Sequence, residues 1–299
     1  MKKVISIVLL LLLGGLLWYL FIKPSDYTVR FVAQTFPGAI NQSLKRWDSQ
    51  LDTLKGIAQQ GDLYRLEQQL RFGDSIHRYQ WRIKPLSDST TRVIAHIKDP
   101  DHSLLNRIQV PFQETDFVKR SKKTVLDFME HLEEHIEAFK VTIEGEAEIP
   151  GKYMAYLPLK TKQQQKAEGM IKNFSFLTNE LFLNGVQLDG PPMIEITHWD
   201  RQQDSLHFNF GQPIIRSDKL PIGTEIQYKR IFPKRALKAT YNGNYITSDR
   251  AWYALMDYAK KNDIAIDPRA VEIFFNKPMG SGGEIHWKAD IYLPLKEKQ

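Results

Sequence analysis

The sequence predicts an α+β protein with an amino-terminal transmembrane helix. Three observations predict this class: an apolar run at the start of the chain, strand-like segments between turn residues in its middle, and an internal duplication in its last half. The chain has 299 residues, which leaves enough for about two domains after the apolar run. We expect an anchor over residues 1–23, a first domain over 26–140 and a second over 141–299.

The apolar run extends from Val4 to Ile22. At about 1.5 Å per residue, a helix of this length measures roughly 29 Å, which matches the hydrocarbon thickness of a bilayer. A cleaved signal peptide is the alternative, but it would have a shorter apolar centre and a cleavage site of small residues. This segment instead ends in aromatic and branched residues, of which Trp18 and Tyr19 suit the membrane interface. The sequence therefore favours an uncleaved anchor.

The charges flanking this run predict its orientation. Lys2 and Lys3 precede it, so we expect the amino terminus in the cytoplasm and the soluble part outside it, in the periplasm of a bacterium. The absence of cysteine fits an oxidising compartment.

Composition excludes several functions. Without cysteine there is no thiol nucleophile and no thiolate-bound metal. The net charge of +6 is modest, and basic clusters over 119–123 and 229–235 alternate with acidic stretches, so we expect no nucleic-acid partner. No phosphate-binding loop or dinucleotide fingerprint occurs, and Gly280-Ser281-Gly282-Gly283 joins two predicted strands as a hairpin, so we expect no cofactor. His131 and His135 are four residues apart among glutamates of a charged helix, and we expect no metal there.

The first domain is predicted to begin with a strand and a helix and to end with a long helix. The apolar stripe of the first helix contains Ile40, Leu44 and Trp47. The predicted strands are Tyr27 to Thr35, Leu63 to Phe72, Ile76 to Leu86, Thr91 to Ile97 and Ile108 to Phe112, and the last helix covers Thr115 to Phe139.

The last half of the chain repeats itself, over about 150–215 and 225–297. Asn184-Gly-Val-Gln-Leu-Asp189 and Ile194-Glu-Ile196 correspond to Asn262-Asp-Ile-Ala-Ile-Asp267 and Val271-Glu-Ile273. Each copy is predicted to be a strand, a helix and two strands. The predicted helices end near Asn184 and Asn262.

Alternation along the strands separates two faces. The residues predicted to face the helices are Val271, Ile273 and Phe275 on one strand and Trp287, Ala289, Ile291 and Leu293 on the next. The opposite faces mix acids with aromatic residues, and turned toward each other they would form a ligand cleft. A solvated sheet face is the alternative. The predicted ligand-binding residues are Glu195, Trp199, Tyr241, Tyr245, Glu272, Phe274, Asp290 and Tyr292.

Residues from about Val141 to Leu295 resemble the GyrI-like small-molecule-binding domain, the effector-binding module of multidrug-sensing and AraC-type regulators, and the second copy carries the better match. The resemblance rests on Tyr241-Asn-Gly-Asn-Tyr245, Ile266-Asp-Pro268, Val271-Glu-Ile-Phe-Phe-Asn276 and Ala289-Asp-Ile-Tyr-Leu-Pro294, in that order. It implies a cleft for apolar, often cationic molecules, with Glu272 as the counter-charge. If Lys288 pairs with Glu272 or Asp290, the cleft is neutral. No helix-turn-helix precedes the domain, so direct transcriptional regulation is not expected.

The element order of the first domain resembles the START-like or SRPBCC helix-grip fold, in which a curved sheet wraps the last helix. A packing module without a ligand is the alternative.

Together these features predict a membrane-anchored protein that binds or senses a small hydrophobic molecule. Two alternatives stay open. A hydrolase would use Glu272 as general base with Tyr241 or Tyr292 as proton donor. A non-catalytic interaction module would bind a protein partner that the sequence does not identify.

Overall fold

The computed structural model describes residues 2–51, 53–87, 90–223, 225–276 and 283–296. The chain is α+β, with two antiparallel sheets, as predicted. It divides into two compact units, Met1–Glu133 and Glu134–Gln299. Residues 280–282 of the predicted glycine hairpin lie outside the described residues.

The first unit begins with the apolar helix. Helix α1 (Lys2–Leu17) continues without a break into one π-helical turn, Trp18–Ile22. The stretch Lys3–Ile22 is 20 residues long, and none of it is buried within the protein. It is long and apolar enough to be a membrane span or a signal sequence.

A five-stranded sheet forms the body of the first unit, in the order β1-β5-β4-β3-β2. Its strands are β1 (Tyr27–Ala33), β2 (Thr53–Gln59), β3 (Arg65–Phe72), β4 (Ser75–Pro85) and β5 (Thr91–Lys98), and its helices are α2 (Pro37–Asp48), α3 (Ser103–Gln109) and α4 (Asp116–Glu137). Aromatic rings fill the core: Phe128 of α4 lies 5.3 Å from both Trp47 and Trp81, measured between ring centroids. The START-like identification stays a prediction.

One predicted strand of this unit is wrong. Residues Ile108 to Phe112 do not form a strand, because Ile108 belongs to helix α3 and a turn follows it. The carboxylate of Asp99 accepts a hydrogen bond from the backbone N–H of His102 (3.3 Å) just before the helix begins. The sequence also gave no indication of β2, whose few apolar residues do not alternate clearly.

The second unit contains one eight-stranded sheet, in the order β10-β7-β9-β8-β12-β13-β11-β6. The strands are β6 (Phe139–Ile149), β7 (Lys152–Lys162), β8 (Met193–Asp200), β9 (Ser205–Pro213), β10 (Gln227–Ile231), β11 (Lys234–Gly243), β12 (Val271–Phe274) and β13 (Lys288–Pro294), and the helices are α5 (Lys166–Leu183) and α6 (Arg250–Lys261). Each repeat is a strand, a helix and two strands, as predicted. The repeats join where β8 pairs with β12.

Two short connections force this sheet to curl. Two residues link β6 to β7, and two link β10 to β11, yet the linked strands are six positions apart in the sheet. Six spacings in a flat sheet cover roughly 29 Å, whereas three peptide steps reach at most about 11 Å. The ends of the sheet must therefore approach each other. The two connections meet at Gly151, where an added Cβ would lie 2.9 Å from the ring of Pro233.

Because the sheet curls, both of its faces are buried. Both helices contribute to the larger core, on one face, with Leu177, Trp252, Ile291 and other apolar residues. The concave face holds a second core of Ile149, Met154, Met193, Ile231, Ala236, Val271, Ile273 and Tyr292.

Candidate functional site

The strand register divides the predicted ligand-binding residues between the two faces of the sheet. Glu272 is opposite Ile291, so it lies on the helix face. Val271 is opposite Tyr292, and both belong to the concave core. The helix face also carries Phe274 and Tyr241.

The predicted face assignment of β12 is therefore wrong. Val271 and Ile273 face away from the helices, while Glu272 and Phe274 face them. Alternation separates the two faces of a strand, but it identifies the core face only when the other face is solvated. In a curled sheet with two cores that condition fails. Consequently Glu272 does not share a cleft with Asp290 and Tyr292.

A bulge in β8 moves Trp199 to the helix face. The pairing with β9 shifts register between Ile196 and His198, so Trp199 no longer shares a face with Glu195. Its ring instead lies 5.2 Å from that of Trp252 on α6, between centroids. A bulge reverses the alternation of every residue beyond it.

A buried ion pair forms the centre of the helix face. The ammonium of Lys166, the first residue of α5, donates to Glu272 Oε1 (2.5 Å) and to Ser248 Oγ (2.6 Å). The hydroxyl of Ser248 in turn donates to Glu272 Oε2 (2.6 Å). Both charged side chains are 0% exposed. Each carboxylate oxygen therefore accepts a hydrogen bond, and the two charges neutralise each other.

Aromatic rings surround the ammonium. Lys166 Nζ lies 5.0 Å from the ring centroid of Trp252 and 5.9 Å from that of Phe274. Both distances are within the range of cation–π attraction. Tyr245 packs against Phe274 at 4.8 Å between centroids. We call Lys166, Ser248, Trp252, Glu272 and Phe274 together the Glu272 cluster.

A second polar network links the start of α6 to the first repeat. Gln163 Nε2 donates to Asp249 Oδ2 (2.5 Å), and its carbonyl oxygen accepts from Trp199 Nε1 (3.1 Å). Asp249 also pairs with Arg250 (2.9 Å). Burial raises the pKa of the neighbouring Tyr253. Trp199 is thus a hydrogen-bonded wall residue of the helix face.

The hydroxyl of Tyr241 is engaged elsewhere. It lies 2.6 Å from Thr247 Oγ1 and donates to the carbonyl oxygen of Asn244 (3.0 Å). Burial raises its pKa. Tyr292 lies on the opposite face from Glu272, so it is not placed as a proton donor to a base at Glu272.

The acids of the concave face are paired with lysines. Glu195 Oε2 accepts from Asn209 (2.9 Å) and from Lys229 (2.6 Å). Asp290 lies 3.0 Å from Lys238 and 3.4 Å from Lys288. The expectation that Lys288 could neutralise a predicted acid therefore applies to Asp290. This face presents compensated charge.

Sequence reasoning missed Lys166 and Ser248. Ser248 lies just before helix α6, and its hydroxyl bonds the carboxylate of Glu272. Lys166 does leave one signal in the sequence. A lysine in the first turn of a helix is disfavoured by the helix dipole, and an acidic partner offsets this effect.

A surface depression of about 320 Å³ lies apart from these groups. It is lined by Leu157, Pro158, Leu159, Asn173, Glu225 and Gln227. None of the predicted ligand-binding residues contributes to it. Among the described residues, no group of three or more His, Asp or Glu side chains is arranged to hold a metal ion.

Comparisons with known proteins return structures only. No protein-family model and no curated protein matches the chain. The carboxy-terminal domain of EcmrR has 14% identity and a TM-score of 0.44, covering 54% of this chain and 99% of that one. A hydrolase from Listeria innocua has 12% identity and a TM-score of 0.34, covering 51% and 92%. SAV2435 bound to tetraphenylphosphonium has 7% identity and a TM-score of 0.34, covering 53% and 93%.

Proposed function

We propose that this protein is a membrane-anchored, GyrI-like binding protein whose second unit takes up a small apolar cation at the Glu272 cluster. The observation that carries the proposal is a fully buried carboxylate beside aromatic rings, paired with an ammonium. A buried ion pair adds little to stability compared with well-packed apolar residues. A binding role gives a reason for a charge at this position.

The cluster has the chemistry of a cation site. A carboxylate in apolar surroundings is poorly solvated, and it gains when a positive charge comes close. Aromatic faces add attraction for a cation and bury apolar area of a ligand. In this structure the ammonium of Lys166 provides the positive charge.

Ligand binding then requires an exchange of cations. Lys166 has a flexible four-carbon stem, and its ammonium is strongly hydrated in water. When a ligand cation takes its place near Glu272, Lys166 moves toward solvent and regains hydration. The protein thus remains neutral at the cluster with or without ligand, and the energy needed to release Lys166 lowers the affinity for the ligand.

Binding of tetraphenylphosphonium to the full chain in nanodiscs tests this proposal, with neutral triphenylphosphine oxide as the reference compound. Lys166→Met should tighten binding of the cation about tenfold or more, equal to about 1.4 kcal/mol, because the internal competitor is gone. The double variant Lys166→Met, Glu272→Gln removes both charges without leaving one unpaired. It should lose the preference for the cation.

Matched controls come from the same helix. Lys172 and Glu168 form an exposed ion pair on α5 (2.6 Å), and Lys172→Met or Glu168→Gln should leave binding unchanged. Equal binding of the cation by the wild type and the double variant would contradict the proposal. Mass spectrometry of each mixture separates binding from hydrolysis of a probe.

The anchor and its orientation belong to the same proposal. Lys2 and Lys3 favour an amino terminus in the cytoplasm, with both units in the periplasm. Alkaline phosphatase fused after Gln299 is active only outside the cytoplasm. An inactive fusion that is nevertheless present in the membrane fraction would contradict this orientation.

A further inference from the structure

Helix α3 of the first unit buries its polar residues and exposes its apolar ones. Its polar residues Asn106 and Arg107 are buried, whereas Leu104, Leu105 and Ile108 are 46%, 51% and 50% exposed. A surface helix of a water-soluble domain normally buries its apolar side. The apolar side of α3 therefore requires a non-aqueous partner.

The exposed surface continues beyond the helix. Phe112, three residues after α3 ends, is 88% exposed. We call Leu104, Leu105, Ile108 and Phe112 the α3 patch. Contiguous exposed apolar side chains of this kind mark a protein or membrane contact.

Arg107 fixes α3 to the end of the apolar helix. Its guanidinium donates to the backbone carbonyl oxygens of Leu20 (2.9 Å) and Lys23 (2.5 Å), and to Asp26 Oδ1 (2.7 Å). The hydroxyl of Tyr19 donates back to the carbonyl oxygen of Arg107 (3.2 Å). These bonds satisfy carbonyl groups at the end of the helix, which otherwise lack partners.

This attachment determines the depth of the α3 patch relative to the membrane. The stretch Lys3–Ile22 ends beside α3, and Trp18 and Tyr19 are residue types that occupy the membrane interface. An apolar helix face fixed at this level lies where amphipathic helices insert between headgroups and acyl chains.

We infer that the α3 patch docks on the lipid bilayer at the point where the apolar helix leaves it, so that the first unit sits on the membrane surface. The inference rests on the proposed membrane anchor. The occupant of the patch is the bilayer itself, because α3 is bonded to the end of the segment that the bilayer holds. The first unit then has a fixed orientation on the membrane.

Spin labels on the full chain in phosphatidylcholine vesicles test the inference. The chain has no cysteine, so each variant carries a single label. Leu105→Cys and Phe112→Cys report on the α3 patch, and Leu10→Cys reports on the apolar helix. Collision with oxygen indicates lipid, and collision with a water-soluble nickel chelate indicates water.

Leu86→Cys is the matched control, because Leu86 is also an exposed leucine of the first unit (48%). It follows β4 at the end of the sheet opposite to Asp26. Tyr27 pairs with Ile97 at the end of the sheet near Asp26, and Ala33 pairs with Thr91 at the end near Leu86. At about 3.3 Å per residue, these two ends are about 20 Å apart.

We expect deep lipid exposure at residue 10, shallow lipid exposure at residues 105 and 112, and water exposure at residue 86. Water exposure at 105 and 112, with residue 10 in lipid, would overturn the docking inference and leave the anchor intact. Water exposure at residue 10 would overturn the anchor as well. Spin–spin broadening at 105 or 112 that persists on dilution with lipid would mean that a second copy covers the patch, and this too would overturn the inference.

Discussion

Each unit of this protein contains a buried ion pair, and the two pairs differ in what surrounds the cation. In the first unit Arg107 pairs with Asp26, and both side chains are almost fully buried. In the second unit Lys166 pairs with Glu272, also fully buried. The rest of the arginine bonds backbone carbonyl groups, whereas the ammonium of Lys166 is bonded by one further side chain and faces aromatic rings.

The comparison distinguishes a structural ion pair from an ion pair that is a candidate binding site. A guanidinium whose N–H groups are bonded to backbone carbonyl oxygens cannot be replaced by a ligand cation unless those backbone hydrogen bonds are lost. An ammonium that contacts one carboxylate, one hydroxyl and two aromatic faces can be exchanged for another cation of suitable shape. The first pair therefore fits a structural attachment, and the second fits a binding site.

Removing the arginine should have the largest effect. Arg107→Met leaves the Asp26 carboxylate buried without a cation and should destabilise the first unit by about 3–5 kcal/mol. Hydrogen exchange of the full chain at increasing urea measures this, because it reports on each unit separately. Arg107→Lys keeps the positive charge but lacks the several N–H donors of the guanidinium. This variant should therefore recover only part of the lost stability. Full recovery in that variant would show that the carbonyl bonds are unimportant.

Removing the lysine should cost less once a ligand is present. Lys166→Met alone leaves Glu272 uncompensated and should destabilise the second unit by about 3 kcal/mol or more. Saturating tetraphenylphosphonium should restore much of this in hydrogen exchange, because the ligand binds only the folded state. The same compound should not restore Arg107→Met. If tetraphenylphosphonium restored the stability of both variants, or of neither, the distinction between a structural ion pair and a binding site would not hold.

Acid should weaken the first unit through His77. Burial is the main cause that lowers the pKa of this imidazole to about 4, and the nearby charge of Asp99 opposes the shift. Between pH 6.5 and 4 the unfolded chain binds a proton that the folded chain does not. Stability is therefore complete above pH 6.5 and falls as the pH decreases, by at most about 3.4 kcal/mol at 1.36 kcal/mol per pKa unit.

The measurement is the pH dependence of unfolding of the first unit in the wild type and in His77→Gln. The variant has no group titrating in this range at position 77, so its slope should be flatter between pH 6.5 and 4. Parallel slopes would mean that His77 is not the source of the acid sensitivity.

A smaller effect should follow from closing the space at the crossing of the two connections. In Gly151→Ala the new methyl group meets the ring of Pro233 at 2.9 Å. Relieving this overlap requires a shift of the connection between β10 and β11, at a cost of about 1–3 kcal/mol. Gly283→Ala is the control, because no atom of the described residues lies within 4 Å of the added Cβ there. Equal stability of the two variants would argue against a tight crossing.

Much of the fold was predictable, because its signals are local. The spacing of apolar residues located α2, α4, α5 and α6, and the repeated segments indicated two copies of one unit. The wrong strand at Ile108 to Phe112 has a local cause too. Leu104, Leu105 and Ile108 follow a helical period, but they face outward, and an apolar run on the outside of a helix has the same letters as a short buried strand.

The candidate site was predictable only in part. Glu272, Phe274 and Tyr245, which the sequence analysis groups together, lie on one face of the sheet with Trp199 and Tyr241. Glu195, Asp290 and Tyr292 belong to the other face. Whether any of these residues binds a ligand stays a prediction.

The sequence by itself determined the apolar helix, the duplication and the two alternating residue sets of each strand, because each depends on residues close together in the chain. Only the tertiary structure decided which set faces the helices. Two-residue connections curl the sheet and bury both of its faces. The usual contrast between a solvent-exposed face and a buried face is therefore absent. The partner of Glu272 was also decided at this level, because Lys166 is 106 residues away in the sequence and reaches the carboxylate only when the two repeats share one sheet.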